Sequence, residues 1–340
     1  MRIVLVNTIL LILLASSCTK EIESTELADL DIMEVPLGFP DIEHPEGNEY
    51  SMERWELGKK LFYDPILSKD GLISCASCHD PALSFSDNID VSKGSDGLLG
   101  TRNAPSLANV AYHPYYTREG GIPTLEMQIL VPIQEHNEFN NNIVLIADTL
   151  SKISEYVQMA QLAYKQEPNA FVITRALSLF ERSLISGQSA YDLEINYGIE
   201  ASISESAIRG MKLFESERTE CSTCHSGFNF TNYSFENNGL YTDYPDNGRE
   251  RLTQDPADRA RFKVPSLRNV ALTAPYMHDG SMATLGEVIE HYNTGGKVHQ
   301  NKSETIKPLN LSPEEKSDLL AFLNALTDHK FVNNKNLANE

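Results

Sequence analysis

Two stretches of the chain share the pattern C-x-x-C-H: Cys75-Ala76-Ser77-Cys78-His79 and Cys221-Ser222-Thr223-Cys224-His225. This pattern is the attachment signature of c-type haem, in which both cysteine thiols bind the porphyrin and the adjoining histidine binds the iron. We therefore expect two covalent haems on the four cysteines, with His79 and His225 as axial ligands of the two irons.

Zinc is the main alternative, because paired C-x-x-C turns can also form a tetrahedral four-cysteine site. Zinc gives no reason for a histidine directly after each second cysteine, so we favour haem. A disulfide framework is typical of small scaffolds, whereas this chain has 340 residues and is long enough for a large apolar core.

The N-terminus has the pattern of an export signal. An apolar run over residues 3–15 follows Met1-Arg2 and precedes Ser16-Ser17-Cys18. This order predicts a lipoprotein signal peptide over residues 1–18, with Cys18 as the lipidated residue. A transmembrane anchor would need roughly 20 apolar residues, more than this run supplies. We expect an exported protein on the periplasmic side, in contact with the membrane through its lipid anchor only.

The chain is acidic, with a net charge of -20 and a pI near 4.8. Such a charge disfavours nucleic acid and anionic membrane surfaces as partners, and it suits the attraction of a small basic redox protein. A solvated acidic surface that only keeps the protein soluble is the alternative.

An internal duplication organises the rest of the sequence. The string P-S-L-x-N-V-A occurs at residues 105–111 and again at residues 265–271, and a G-x-K-L-F string precedes each haem motif at residues 58–62 and 210–214. The fold class we predict is therefore mainly α, with two tandem cytochrome c-like haem domains and long irregular loops. The expected divisions are an acidic tether (19–50), an N-terminal haem domain (51–186), a linker (187–203), a C-terminal haem domain (204–330) and a tail (331–340).

Helical periodicity places Tyr292 near the second haem motif. The pattern predicts helices near 53–62, 142–164, 168–185, 204–215, 285–292 and 313–326. In the fifth of these helices, Thr284 and Glu287 form a capping box, and Tyr292 extends the apolar stripe while His291 points away from it. Tyr292 is thus the better-placed iron ligand, although a tyrosine on an apolar face is more often an ordinary core residue.

These residues resemble the bacterial dihaem cytochrome c peroxidases and the related MauG enzymes. The resemblance covers residues 50 to 328 and rests on the paired haem motifs together with residues 57–65, 102–103, 132–134 and the string P-Y-M-H-D-G at 275–280. It implies that the N-terminal haem meets hydrogen peroxide while the C-terminal haem transfers electrons. In the peroxidases the C-terminal iron usually has a Met as distal ligand and in MauG a Tyr; the resemblance puts Tyr292 at that position.

Two positions depart from the peroxidase pattern. Members that need reductive activation carry a His after the first haem motif that blocks the N-terminal iron. In this sequence Ser95 aligns with that His. The resemblance therefore implies an open N-terminal iron, unless His113 or His136 folds back onto it. The family also places a Trp between the haems, in a string that aligns with residues 117–120, whereas the single Trp here is Trp55. Electron transfer between the haems would then use Tyr115, Tyr116 or a direct path.

The resemblance also assigns a distal acid-base group and a calcium site. It matches Glu138 to the carboxylate that moves a proton between the peroxide oxygens, with Glu135 as the nearby competitor. It matches Asn103, Thr273 and Pro275 to residues that hold Ca2+ between the domains, and oxygen ligands of this kind suit calcium.

The sequence therefore predicts a dihaem peroxidase that reduces hydrogen peroxide with electrons from a small cytochrome c or cupredoxin and needs no reductive activation. Two alternatives stay open: a MauG-like oxidase of a protein residue, and a dihaem electron carrier. The assembly state, monomer or homodimer, is also open.

Overall fold

The computed structural model describes residues 32–339. The expectations that concern residues 1–31, namely the signal peptide, lipidation of Cys18 and the first part of the tether, lie outside them. The described residues are mainly helical, as predicted. The α-helices are α1 (Met52–Tyr63), α2 (Leu125–Gln128), α3 (Leu130–Gln134), α4 (Ile143–Leu150), α5 (Ser154–Tyr164), α6 (Ala170–Arg182), α7 (Ala190–Ile195), α8 (Glu205–Phe214), α9 (Cys221–Cys224), α10 (Glu250–Thr253), α11 (Leu285–Thr294), α12 (Pro313–Ala325) and α13 (His329–Val332). Two short strands, β1 (Phe235–Glu236) and β2 (Phe262–Lys263), pair in antiparallel fashion.

The structure refines two of the predicted elements. The single helix expected over residues 142–164 is divided into α4 and α5, because Ile153 between them has an extended backbone. The expected linker over residues 187–203 contains α7, which begins at a capping box formed by Ser189 and Asp192. By contrast, α11 begins at the capping box predicted for it, which Thr284 and Glu287 form.

Each half of the molecule is built on one close helix pair. In the first half α1 packs on α6, and in the second half α8 packs on α12. A Cβ atom added at Gly58 would lie 2.0 Å from the carbonyl oxygen of Ala176, and one added at Gly210 would lie 1.9 Å from the carbonyl oxygen of Asp318. The repeated glycine is therefore needed because the two backbones touch at the same point of each pair.

Three phenylalanines fill the core of each half. Phe62 packs on Phe180 with ring centroids 5.0 Å apart, and Phe214 packs on Phe322 with centroids 5.1 Å apart. The third rings are Phe85 in the first half and Phe230 in the second, and both are buried. The duplication seen in the sequence thus extends to the packing around the two haem motifs.

The repeated asparagines tie the P-S-L-x-N-V-A strings to the last long helix of each half. Asn109 and Asn269 are fully buried and have left-handed backbone conformations, with φ of 61° and 58°. The backbone N–H of Asn109 donates to Leu184, just after α6, and that of Asn269 donates to Leu326, just after α12.

The two halves meet through a pair of equivalent backbone hydrogen bonds. The N–H of Asn103 donates to the carbonyl of His278 over 3.0 Å, and the N–H of Lys263 donates to the carbonyl of Arg118 over 2.6 Å. Lys263 and His278 stand at the 160-residue offset from Asn103 and Arg118. The junction therefore has approximate two-fold symmetry, as expected when two copies of one unit pack on each other.

Part of the predicted tether packs on the folded chain. Phe39 contacts Phe228, with ring centroids 4.7 Å apart, and the buried Asn48 donates hydrogen bonds to Glu126 and Ser178. Acidic composition and prolines suggested a free linker up to residue 50, but these two side chains fix the segment in place. Across residues 32–339, the helices are all too short or too polar to cross a membrane.

Candidate active site

The first C-x-x-C-H motif forms a tight turn that begins at Ser74. The thiols of Cys75 and Cys78 are free and partly exposed. The Nδ1 atom of His79 lies 2.8 Å from the carbonyl oxygen of Phe85. Because a carbonyl only accepts, Nδ1 carries the proton, and Nε2 keeps the lone pair that a metal requires.

The second motif repeats this arrangement on the short helix α9. The thiols of Cys221 and Cys224 are again free, and Nδ1 of His225 lies 3.1 Å from the carbonyl oxygen of Phe230. Burial lowers the pKa of both motif histidines, so each imidazole is neutral at pH 7. The thiols and the exposed lone pair together fit a c-type haem at each motif.

Tyr292 faces the same cavity as the second motif. The cavity has a volume of about 340 Å³, and its lining includes Cys221, Cys224, His225 and Tyr292. Its apolar lining includes Phe214, Leu285, Val288, Ile289, Leu319 and Leu323. His291 is not part of this lining, and its Nε2 instead lies 2.9 Å from the carbonyl oxygen of Asn238. Burial raises the pKa of Tyr292 to about 12.

The carboxylate of Glu138 lies close enough to the first motif for its charge to act on both thiols. Burial raises the pKa values of Cys75 and Cys78, and the charge of Glu138 adds to that rise at both thiols. The Glu138 side chain reaches solvent, but protein atoms surround it closely. This desolvation, together with the charge of Glu135, raises the pKa of Glu138 to about 7. A carboxyl group with such a pKa can both accept and donate a proton near neutral pH.

Ser95 fixes the backbone next to Glu138. Its N–H donates to the carbonyl of Glu138 over 2.7 Å, and its hydroxyl donates to the carbonyl of Phe139 over 3.1 Å. Gly94 makes this approach possible, since an added Cβ would lie 2.1 Å from the carbonyl oxygen of Asn137. The position expected for a blocking ligand thus holds a buried serine that supports the Glu138 loop.

The two histidines considered as substitutes for a blocking ligand lie in different places. His113 lines the cavity of the second motif and contacts Tyr233, with ring centroids 5.3 Å apart. His136 is exposed on the loop between Glu135 and Glu138.

Comparison with known proteins identifies the family. Residues 52–197 match the family described as di-haem cytochrome c peroxidase. The chain is 36% identical over 289 residues to the methylamine utilization protein MauG of Methylorubrum extorquens, covering 84% of this chain and 81% of that protein. The chain belongs to the di-haem cytochrome c peroxidase and MauG family. It is also 32% identical over 277 residues to a cytochrome c551 peroxidase of Nitrosomonas europaea, covering 80% of this chain and 79% of that protein.

A solved structure supports the same assignment. A MauG-like protein associated with microbial copper homeostasis has 34% sequence identity and a TM-score of 0.85, over 90% of this chain and 98% of that one. Family membership implies two c-type haems and an oxidoreductase of the peroxidase class. It leaves open the choice between a peroxidase and a MauG-like oxidase, because relatives of both names match.

The residues predicted to bind calcium do not fit a cation as they are arranged. Asn103, Thr273 and Pro275 all line the large cavity. However, Arg118 donates to both oxygens of Asn103, at 2.7 Å for the carbonyl and 3.3 Å for the side chain. A guanidinium has the wrong charge for a neighbour of Ca2+, so the calcium site stays a prediction that these contacts do not support.

Three buried charged residues were not found by sequence reasoning. Glu181 lies near the first motif, where its charge raises the pKa of Cys75, and burial raises its own pKa to about 8. Arg118 and Lys263 line the cavity of the second motif. Lys263 stands two residues before the second P-S-L-x-N-V-A string, where the first copy has Asn103, and this difference between the copies was the available signal.

Tyr115 is one of the aromatic residues of the first half that contact the second half. Its hydroxyl donates to the carbonyl of Tyr233, and its ring stacks on Phe235 with centroids 5.1 Å apart. Tyr116 packs within the first half, and Trp55 donates its indole N–H to Ser183 over 2.8 Å in the core of that half. Of the two tyrosines proposed to replace the missing Trp, Tyr115 is the one in contact with the second half.

Proposed function

We propose that the protein reduces hydrogen peroxide to water at the first haem motif, with electrons from a small cytochrome c or cupredoxin. The observation that carries this proposal is Glu138, a carboxyl group with a pKa of about 7 beside Cys75 and Cys78. A haem bound through His79 supplies an open iron position and electrons.

Glu138 performs the proton transfers in this proposal. Its carboxylate takes the proton from one oxygen of the peroxide and returns it to the other, so that the departing oxygen leaves as water. The complete reduction uses two electrons and two protons and yields two water molecules. Proton transfer of this kind contributes on the order of 10²- to 10⁴-fold to a rate.

The second motif serves as the electron-transfer centre in this proposal. His225 and Tyr292 are the proposed axial ligands of its iron, which fits their shared cavity. Ser95 supports an N-terminal iron that is open without reductive activation, because its side chain is buried against the Glu138 loop. The acidic surface fits a basic electron donor, and the proposed location is the periplasmic side, with Cys18 as lipid anchor.

Glu138→Gln tests the proposal directly. We expect peroxide turnover in stopped-flow measurements to fall by about 10²- to 10⁴-fold while both haems remain attached. Glu135→Gln is the matched control, because it removes an exposed carboxylate three residues away on the same loop. At pH 8, where Glu138 is largely deprotonated with or without the charge of Glu135, its turnover should stay within a few-fold of the parent protein. Near-normal turnover in Glu138→Gln would remove Glu138 from the mechanism.

A MauG-like oxidase is the second candidate, favoured by Tyr292 and by the MauG relative of 36% identity. An anionic phenolate stabilises higher iron oxidation states, whereas a Met thioether raises the reduction potential. This function predicts a peroxide-dependent change in a partner protein without rapid oxidation of a cytochrome or cupredoxin. Mixing the protein with peroxide and each class of donor separates the two candidates.

A further inference from the structure

Arg118 is a largely enclosed cation that forms no ion pair with a carboxylate among residues 32–339. It is surrounded by protein, and desolvation lowers its pKa to about 10. Within residues 32–339 the side chain of Arg118 donates hydrogen bonds only to the two oxygens of Asn103, and its buried Nε atom has no partner there.

Lys263 is a second such cation beside it. The backbones of Lys263 and Arg118 are joined by a hydrogen bond, and burial together with the charge of Arg118 lowers the pKa of Lys263 to about 8. The ammonium group lies 5.8 Å from the ring centroid of Tyr233. Within the described part of the chain, neither cation forms an ion pair with a carboxylate.

The nearest carboxylates already have other partners. Glu119 and Asp246 both bind Arg102, and Asp279 accepts a hydrogen bond from the hydroxyl of Tyr241 over 2.7 Å. Glu236 lines the same cavity and accepts from the hydroxyl of Ser234 over 3.2 Å. Asp279, Asp246 and Glu119 stabilise the charge of Arg118 without forming an ion pair with it. An anion from outside the chain that did pair with these two largely enclosed cations would be strongly favoured, so we expect one at this place.

The residues that line the cavity indicate which anion would bind there. Arg118 and Lys263 line the cavity that also contains the thiols of Cys221 and Cys224 and the imidazole of His225. A haem held there brings two propionate carboxylates into the same cavity. We propose that Arg118 and Lys263 bind the propionates of the haem attached at Cys221 and Cys224.

This contact would also join the two halves through the cofactor. Arg118 belongs to the first half of the chain, whereas the thiols belong to the second. At the 160-residue offset Lys263 corresponds to Asn103, and Arg118 corresponds to His278. The equivalent positions in the other copy therefore hold no Arg–Lys pair. The inference rests on haem attachment at the second motif but not on the peroxide reaction.

Lys263→Met tests the inference on the intact dihaem protein. Redox-poised resonance Raman spectra resolve the two haems, and their propionate bending modes report hydrogen bonding to the carboxylates. We expect the mode of the second haem to shift in Lys263→Met and to return towards the parent position in Lys263→Arg. We also expect a lower reduction potential for that haem, because an uncompensated propionate stabilises ferric iron.

Lys307→Met is the matched control. Lys307 lines the same cavity but is already paired with Glu220 over 2.6 Å, so its removal should leave the propionate mode in place. Arg118→Gln gives a second test with the same expected shift if Lys263→Met does not mature.

An unchanged propionate mode and potential in Lys263→Met, or a shift confined to the first haem, would overturn the inference. Peptide mass spectrometry of the parent protein separates this result from a failure of the proposed function. Absence of haem on the Cys221 peptide would refute the attachment itself, whereas a haem there with an insensitive propionate mode refutes the propionate contact alone.

Discussion

The two haem motifs share a contact between the histidine Nδ1 atom and a backbone carbonyl, but they differ in the titratable side chains around them. Near the first motif lie two carboxyl groups, Glu138 and Glu181, whose pKa values are raised to about 7 and about 8 by the desolvation that surrounding protein atoms impose. The cavity of the second motif contains two cations, Lys263 and Arg118, whose pKa values burial lowers to about 8 and about 10. The duplicated string therefore determines where each haem is held, while the residues around it determine what each haem does.

The difference between the two places suits a division of labour. Carboxyl groups that exchange protons near neutral pH suit a place where peroxide is reduced. Cations in the cavity that Tyr292 also lines suit a haem that holds an electron and then passes it on. The following predictions test how far the two halves are alike and where they differ.

The largest expected effect concerns the close helix crossing at a glycine, which the two halves share. Gly58→Ala and Gly210→Ala should each destabilise the fold by roughly 1–3 kcal/mol, because the added Cβ would overlap a carbonyl oxygen of the partner helix. Denaturant unfolding followed by circular dichroism measures the change. If the halves are copies of one unit, the two losses should be similar.

Gly286→Ala is the control for helix propensity. An added Cβ at Gly286 in α11 would have its nearest neighbour at 3.8 Å, so alanine should stabilise the helix by roughly 0.5–1 kcal/mol. A stabilising effect at Gly58 or Gly210 as well would contradict the close helix crossing in that half.

A smaller expected effect concerns the raised pKa of Glu138, which distinguishes the first motif from the second. The proton acceptor for peroxide is the carboxylate form of Glu138, and burial has raised its pKa from the ordinary value of 4.5 to about 7. The rate of the peroxide reaction should therefore fall as the pH drops below about 7, by roughly tenfold per pH unit. Stopped-flow rates between pH 5 and 8 check this profile.

In Glu138→Gln the residual rate should lose this dependence over the same range. A rate profile of the parent protein that stays flat down to about pH 5 would mean that Glu138 has an ordinary carboxyl pKa. The raised carboxyl pKa would then no longer distinguish the first motif from the second.

Local signals in the sequence predicted much of the fold. The haem motifs, the repeated glycine and the capping box of α11 each depend on residues close together in the chain. The structure contains the corresponding turns, helix crossings and helix start. The phase of α11 also placed Tyr292, rather than His291, in the cavity of the second motif.

Features that depend on contact between distant segments were missed. The cationic pair forms because the backbones of Arg118 and Lys263 meet across the junction of the two halves. Similarly, Asn48 and Phe39 look like linker residues until their partners in the folded chain are known. The difference between Asn103 and Lys263 in the two copies marks one of these cations, but the charges and spacing within one segment do not show which distant segment it will meet.

The central claim is that one haem iron is open and the other is closed by Tyr292. Electron paramagnetic resonance of the oxidised protein as isolated tests it most directly, because it reports the ligand set of each iron separately. The proposal predicts one high-spin ferric signal from the first haem and one low-spin signal from the second, with the low-spin signal changed in Tyr292→Phe. Two low-spin signals as isolated, both insensitive to that substitution, would contradict it.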